Sequence, residues 1–251
     1  MIHIDEHYYY LLVNFCCISI PFIFSFHPKL NFYKKWPEFF VGTIVMMAIF
    51  IPWDMYFTKI GIWGFNNQYL SGIYLFNLPI EEWLFFICIP YACTFTYHCI
   101  QYFTQNVVLP SIFKNILWVI AAVCFAVAFL NFDKTYTFTT HLLTGLYLLY
   151  HLLIKKSPYL KKFMLTFLIL LVPFIISNGV LTGVYFWEYP FILTDVNSIT
   201  EKIVWYNNAE NLQIRIFSMP IDDLSYGLTM LLLVTSVFEM VSSRRAKSVV
   251  L

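Results

Sequence analysis

Seven stretches of mostly apolar residues follow one another along the chain, each near the roughly 20 residues that a helix needs to cross a bilayer. Of the 251 residues, 60% are hydrophobic and only 12% are charged, about half the charged share of an ordinary soluble domain. We therefore expect an all-α integral membrane protein with seven transmembrane helices and no separate soluble domain. The predicted spans are residues 8–27, 38–57, 80–103, 113–132, 137–154, 161–183 and 221–241.

The positions of the cations predict the orientation of these spans. If the N-terminus is external, 11 of the 15 Lys and Arg residues fall on the cytoplasmic side, and only Lys59, Lys134, Lys202 and Arg215 lie outside. Cytoplasmic loops of membrane proteins carry such an excess of cations. We expect a protein of the bacterial inner membrane, surrounded by membrane lipid, with its N-terminus outside and its C-terminus in the cytoplasm. The net charge of +1 gives no reason to expect a nucleic-acid partner.

Two short acidic strings begin two of the apolar stretches. Pro79-Ile80-Glu81-Glu82 precedes the third span and Pro220-Ile221-Asp222-Asp223 precedes the seventh, both on the predicted outer side. Proline and acids in a first helical turn are also ordinary helix-start residues. Carboxylates next to hydrocarbon are costly, however, and mark functional sites in membrane proteins. Because the string occurs twice in a chain with little charge, we predict that Glu81, Glu82, Asp222 and Asp223 form an acid/base site.

The two halves of the sequence correspond beyond these strings. Asp54, Thr58 and Trp63 match Asn178, Thr182 and Trp187 at an offset of 124, whereas the acidic strings match at 141. The second half therefore has 17 extra residues (141 − 124), predicted between Trp187 and Pro220. We predict two parallel three-helix repeats joined by a linker helix: residues 1–110, a connecting span in 111–135, and residues 136–251.

The two long loops at the acidic end, residues 58–79 and 184–220, are rich in aromatic residues. These aromatics predict either an interfacial belt or a cover over an apolar pocket, and their concentration beside the acids favours the pocket. We predict substrate-binding roles for Asp54 and Asn178, which are repeat-equivalent, and for Trp63 and Trp205. Carboxyls in an apolar pocket can donate and accept protons, and aromatic faces stabilise cations. This combination suits carbocation chemistry on a hydrocarbon.

The chain resembles the membrane-integral lycopene cyclases, in the fused form that occurs in Bacteroidetes, archaea and fungi. The resemblance covers both halves. It rests on Asp54, Gly61-Ile62-Trp63 and Pro79-Ile80-Glu81-Glu82 in the first half, and on residues 178–183, residues 204–212 and Pro220-Ile221-Asp222-Asp223 in the second.

The resemblance implies a lycopene beta-cyclase of carotenoid biosynthesis. Such an enzyme closes rings at the ψ-ends of lycopene to give γ-carotene and then β-carotene, an isomerisation without net redox change. It implies that the two acidic pairs are catalytic, that the lipophilic substrate is lycopene, and that other carotenoid-pathway enzymes are possible partners.

We expect no cofactor and no metal site. The flavin-dependent cyclases use a dinucleotide-binding fold, and no G-x-G-x-x-G string that would begin it is present here. Two other functions remain open from the sequence: a membrane transporter of a cation or small solute, and a catalytically silent carotenoid-binding subunit. A transporter would favour polar residues at mid-membrane and broken helices, whereas the span centres here are mostly aliphatic or aromatic.

Overall fold

The computed structural model describes residues 5–248. Seven helices in this part of the chain are long and apolar enough to cross a membrane, which confirms the predicted number and approximate positions of the spans. Helices satisfy their own backbone hydrogen bonds, as the hydrocarbon interior requires. The helices are α1 (Tyr9–Phe24), α2 (Trp36–Ile60), α3 (Ile80–Phe103), α4 (Ile112–Leu130), α5 (Thr135–Leu149), α6 (Leu160–Thr182) and α7 (Asp222–Ser248).

Helix packing brings the two halves of the chain together around one core. Helix α2 packs along α7, α1 packs along α3, α4 forms a hairpin with α5, and α3 also contacts α6. The core consists of large side chains with almost no exposure, among them Phe50, Phe86, Met230 and Leu232. A π-helical turn, Tyr150–Ile154, continues α5 at the end opposite the acids.

The loops at the acidic end contain seven short strands and are tightly folded. The strands are β1 (Trp63–Phe65), β2 (Tyr74–Leu75), β3 (Leu78–Pro79), β4 (Ile192–Leu193), β5 (Val204–Tyr206), β6 (Arg215–Ile216) and β7 (Met219–Pro220). The hairpins β2–β3 and β6–β7 have the same conformation 141 positions apart: Phe76 has φ of 57° and Phe217 has φ of 55°. Each hairpin leads directly into a helix that carries an acidic pair.

A two-stranded antiparallel ribbon joins the two halves. Strand β1 pairs with β5, so that Trp63 lies opposite Tyr206. Two more backbone hydrogen bonds extend the ribbon reciprocally: Asn66 N donates to Ile203 O and Asn207 N donates to Ile62 O, both at 2.8 Å. These partners also correspond at an offset of 141, so the two loops meet as equivalents.

The structure corrects one predicted correspondence. Trp63 was matched to Trp187, but the ribbon makes β1 equivalent to β5, and Trp63 therefore corresponds to Val204. Trp63 is buried, whereas Trp187 is exposed. The 17 extra residues consequently lie between Thr182 and Ile203, before β5, where they include β4. The division into residues 1–110, 111–135 and 136–251, with parallel repeats, stays a prediction.

Candidate active site

A cavity lies among the helix ends, beneath the ribbon of β1 and β5. It encloses about 550 Å³ of space free of atoms, counting the part that is open to the outside. The second acid of each pair lines it, together with both repeat-equivalent residues of α2 and α6. Its lining comprises Tyr10, Asp54, Trp63, Phe65, Glu82, Phe85, Tyr136, Phe174, Asn178, Leu181, Val204, Tyr206, Asp223, Tyr226, Gly227 and Met230.

In the first half of the site, Glu82 projects from the first turn of α3. Its Oε2 accepts a hydrogen bond of 2.5 Å from the hydroxyl of Tyr10, which α1 supplies. The Asp54 carboxyl, on α2, lies close enough to repel Glu82 when both are ionised. Two neighbouring carboxyls resist ionising together, so one of them tends to keep its proton. This half of the site is therefore suited to carry a transferable proton.

Asp54 itself is buried and only half satisfied. Its Oδ1 accepts a hydrogen bond of 2.5 Å from the indole Nε1 of Trp63 and a longer one of 3.5 Å from the hydroxyl of Thr58. Its Oδ2 has no hydrogen-bond partner among the described residues. The orphaned oxygen belongs to a residue of the cavity wall, so it can accept or carry a proton there.

In the second half, three donors converge on Asp223, in the first turn of α7. The hydroxyl of Tyr136 donates to Oδ1 at 2.5 Å. Asn178 Nδ2 and the hydroxyl of Tyr206 donate to Oδ2 at 2.7 Å and 3.0 Å. Hydrogen bonds to a carboxylate stabilise its charged form. The three donors therefore favour the anionic form of Asp223.

The first acid of each pair faces the loops instead of the cavity. Glu81 Oε1 accepts the backbone N–H of Ser71 at 2.7 Å, and Asp222 Oδ2 accepts that of Leu212 at 3.3 Å. Thr137 also donates to Asp222, at 2.7 Å. Successive helical residues point about 100° apart, so one acid of each pair holds the preceding loop while the other faces inward.

Aromatic rings surround the space between the acids. The rings of Tyr136 and Tyr226 meet that of Trp63 edge-on, at centroid distances of 5.2 Å and 6.1 Å. Tyr136 also stacks with Tyr206 at 5.8 Å. Tyr226 interacts electrostatically with Asp54, Glu82 and Asp223, which places it among all three carboxyls.

Two residues of the loop after α6, Tyr206 and Arg215, act as hydrogen-bond donors beside the cavity. Burial raises the pKa of Tyr206 well above its ordinary value, and the negative charge of Asp223 raises it further, so the phenol stays protonated. Burial lowers the pKa of Arg215, an effect that the nearby Asp223 opposes. The guanidinium lies 5.7 Å from the centroid of the Tyr206 ring and donates to Ser218 O and to Asn208 Oδ1 at 2.6 Å and 2.8 Å.

Three of the four predicted substrate-binding residues meet at this cavity: Asp54, Asn178 and Trp63. The structure does not bring Trp205 there. It is partly exposed on β5, and its indole lies over Gly64, where an added Cβ would come within 2.3 Å of the ring. The next residue along the strand, Tyr206, faces the cavity instead, because successive strand residues point to opposite faces.

Three tyrosines of the site were not predicted: Tyr10, Tyr136 and Tyr226. A signal existed for two of them, since Tyr10 and Tyr136 occupy corresponding turns of α1 and α5 and donate to corresponding acids at the same distance. Among residues 5–248, no group of three or more His, Cys, Asp or Glu residues is arranged to hold a metal ion.

Comparison with protein families decides the relationship of the chain. The model of the lycopene cyclase family matches residues 7–100 and 133–241. The chain belongs to the lycopene cyclase family. The resemblance inferred from the sequence is thus confirmed at the level of the family. Both lycopene cyclase segments contain an acidic pair, and α4 lies between them.

Individual relatives match shorter segments. Proteins named bifunctional lycopene cyclase/phytoene synthase are 36% identical over 74 residues in Pyrenophora tritici-repentis, 35% over 69 in Leptosphaeria maculans and 34% over 73 in Aspergillus niger. These alignments cover 28–29% of this chain and only 11–12% of the fungal proteins. No solved structure matches the chain.

Proposed function

We propose that the protein is a lycopene beta-cyclase that closes the ψ-ends of lycopene by acid/base chemistry. The observation that carries the proposal is the contrast inside one aromatic cavity. One acid, Glu82, neighbours a second carboxyl, and the other, Asp223, is held by three hydrogen-bond donors. The reaction needs a proton donor and a proton acceptor at the same substrate end.

The donor in this mechanism is the Asp54–Glu82 pair. The proton that this pair retains passes to the terminal double bond of the acyclic end and leaves a tertiary carbocation. The neighbouring double bond attacks that cation, which forms the ring bond and moves the positive charge into the ring. A carboxyl that must give up a proton is best placed beside a second carboxyl, because the two cannot both ionise without repulsion.

The acceptor is Asp223. Loss of a ring proton to its carboxylate restores a double bond, so the product is an isomer of the substrate and no electrons enter or leave. The proton must return to the Asp54–Glu82 pair before the next turnover. Tyr226, which interacts with all three carboxyls, lies where such a return would pass.

The aromatic rings stabilise the cation between these two proton transfers. Trp63, Tyr136 and Tyr226 present rings around the cavity, and a cation near an aromatic face gains about 0.5–2 kcal/mol per favourable contact. The rings also exclude water, which would otherwise capture the cation. On this scheme the reaction uses no cofactor.

The orientation of the chain is part of the proposal. The acids lie at one end of the bundle, and we place that end outside, with the C-terminus in the cytoplasm of a bacterial cell. A reporter enzyme fused after residue 251, active only in the cytoplasm, should be active. The same fusion after residue 132, between α4 and α5, is the opposite-side control and should be inactive.

The decisive experiment is pigment analysis in a bacterium that accumulates lycopene. Cells that express the chain should contain γ-carotene or β-carotene, and cells that express Glu82→Gln should retain lycopene. Glu188→Gln is the matched control, since Glu188 is exposed on the loop after α6. Unchanged lycopene, with the wild-type protein present in the membrane, would reject the proposed function.

A further inference from the structure

Two further cavities continue from the acidic cavity toward the opposite end of the bundle. The first shares Phe174, Gly227 and Met230 with the acidic cavity. The second shares Phe167, Leu231 and two more residues with the first. Cavities that share walls lie side by side, so the three form one row. We call the second and third cavities together the apolar channel; Ile89, Cys93, Phe167, Leu170 and Leu231 are among the residues that line it.

The channel is apolar where it leaves the acids. Its first part comprises about 310 Å³ of space free of atoms, counting the part that is open to the outside, and its lining offers only hydrocarbon side chains, one thiol, one thioether and one glycine. These residues come from α3, α6 and α7. A polar molecule would lose its hydration here without replacement hydrogen bonds, so the lining favours a hydrocarbon ligand.

A glycine keeps the junction with the acidic cavity open. Gly227 lies on α7 against the ring of Phe174, and an added Cβ would be only 3.2 Å from Phe174 Cζ. A glycine inside a helix costs roughly 1 kcal/mol relative to alanine, and here its small size preserves the passage. Any larger side chain at this position would narrow it.

The acidic cavity and the channel together extend along much of α7. From Asp223 in the acidic cavity to Thr235 at the far end of the channel, α7 rises about 18 Å at 1.5 Å per residue, more than half of a typical 30 Å hydrocarbon layer. Its far part also includes Tyr97, whose hydroxyl donates to Glu239 at 2.5 Å. The apolar lining therefore ends at a polar network.

We propose that the apolar channel binds the polyene chain of the substrate lengthwise, while one end group reacts among the acids. This inference rests on the proposed function for the identity of the substrate. It specifies the binding mode: the chain lies between α3, α6 and α7, roughly along the membrane normal. Because one channel serves one reacting end, the two ends of a molecule react in separate binding events.

The test is a pair of neighbouring substitutions on α6 in the inactive Glu82→Gln protein. Leu170→Trp fills the channel, whereas Ile169→Trp places the same bulk on the adjacent residue, which is 46% exposed on the outside of the bundle. Each protein is purified from lycopene-accumulating cells, and the bound lycopene is measured per mole of protein. Overfilling an apolar site of this kind costs enough to lower the ratio about tenfold for Leu170→Trp, with no change for Ile169→Trp.

Equal amounts of lycopene in the two Trp-bearing proteins would overturn the inference, as would absence of lycopene from the Glu82→Gln parent. Size-exclusion profiles verify folding. If Leu170→Trp is not recovered, Leu170→Phe and Cys93→Phe, which enter the same cavity from two helices, carry the test. The experiment measures lycopene binding and not ring formation, so it tests the channel separately from the proposed cyclase activity. Bound lycopene that depends on residue 170, without ring formation by the wild-type protein, would reject the proposed function and support the channel.

Discussion

The two halves of the cavity hold corresponding acids in different surroundings. Glu82 has the carboxyl of Asp54 beside it, and its hydrogen bond comes from a single tyrosine. Asp223 has the amide of Asn178 in the corresponding place, and this amide donates to it at 2.7 Å. A second difference is that Tyr206 also donates to Asp223, at 3.0 Å, whereas the residue 141 positions earlier is a phenylalanine, which has no hydroxyl. One half thus places two carboxyls together, and the other surrounds its inward acid with three donors.

The comparison teaches how a duplicated site can divide two tasks. Two identical halves would both hold a proton or both lack one, and a reaction that begins with proton donation and ends with proton removal needs one of each. The difference depends on the residues around the acid, not on the acid itself. The predictions below test that statement, from the largest expected effect to the smallest.

The largest effect is expected from removing each inward acid. Glu82→Gln should lower turnover about 10²- to 10⁴-fold, the usual contribution of a general acid, and leave unreacted lycopene. Asp223→Asn should lower turnover comparably but give different products. A ring cation without its base loses another proton or captures water, giving ring isomers or a hydroxylated ring. Chromatography with mass detection distinguishes these products, and identical profiles for both variants would remove the assigned difference in roles.

The second-largest effect is expected from exchanging the residues beside the two inward acids. Asn178→Asp places a carboxyl beside Asp223, and Asp54→Asn removes the one beside Glu82. Each change gives the two inward acids the same kind of neighbour, and each removes about one charge-assisted interaction of 1.5–3 kcal/mol, so turnover should fall about 10- to 100-fold. Asp54→Glu, which keeps a carboxyl, should retain more activity than Asp54→Asn. Full activity in both exchanged variants would contradict the comparison.

The corresponding tyrosines should differ in importance. Tyr136→Phe removes one of three donors that stabilise the Asp223 anion, and about a tenfold loss of turnover is expected. Tyr10→Phe removes a donor from the acid whose proposed role is to give up a proton, and the loss should be smaller. Initial rates in membranes containing lycopene measure both, with Tyr33→Phe, at the opposite end of the bundle, as the control. A larger loss for Tyr10→Phe would reverse the assignment.

The loop-facing acids should affect turnover least. Glu81→Gln keeps an oxygen that accepts the Ser71 N–H, so turnover per folded protein should stay within about threefold of wild type, while Glu81→Ala should lower the free energy of unfolding by about 1–3 kcal/mol. Thermal unfolding in detergent measures the second effect. If Glu81→Gln proved as inactive as Glu82→Gln, the division between loop-facing and inward acids would be wrong.

The sequence was sufficient for the features that depend on composition and local pattern. The seven spans follow from hydropathy, and Asp54, Asn178 and one acid of each pair meet because each lies at the same end of its helix. The choice between Glu81 and Glu82 was not predictable. It depends on where Ser71 and Leu212 direct their N–H groups, which the fold of the preceding loops determines.

The register of the ribbon was equally unpredictable from the sequence. Whether Trp205 or Tyr206 faces the cavity depends on pairing between strands 141 residues apart, and no local pattern specifies it. Trp63 and Trp187 were matched by residue type because the position of the extra segment is not visible in the sequence. Only the partner strand shows that Val204 takes the place equivalent to Trp63.

The ribbon between β1 and β5 has a consequence for how such a protein can be divided. Its hydrogen bonds join main-chain atoms, so they persist when side chains on either strand change. A chain cut between α3 and α5 would give two fragments, each with an unpaired strand edge, and such edges bind complementary strands readily. The two fragments would reassociate through the main-chain hydrogen bonds between β1 and β5. Each could then diverge in sequence while keeping its partner, a route by which a single gene becomes two cooperating ones.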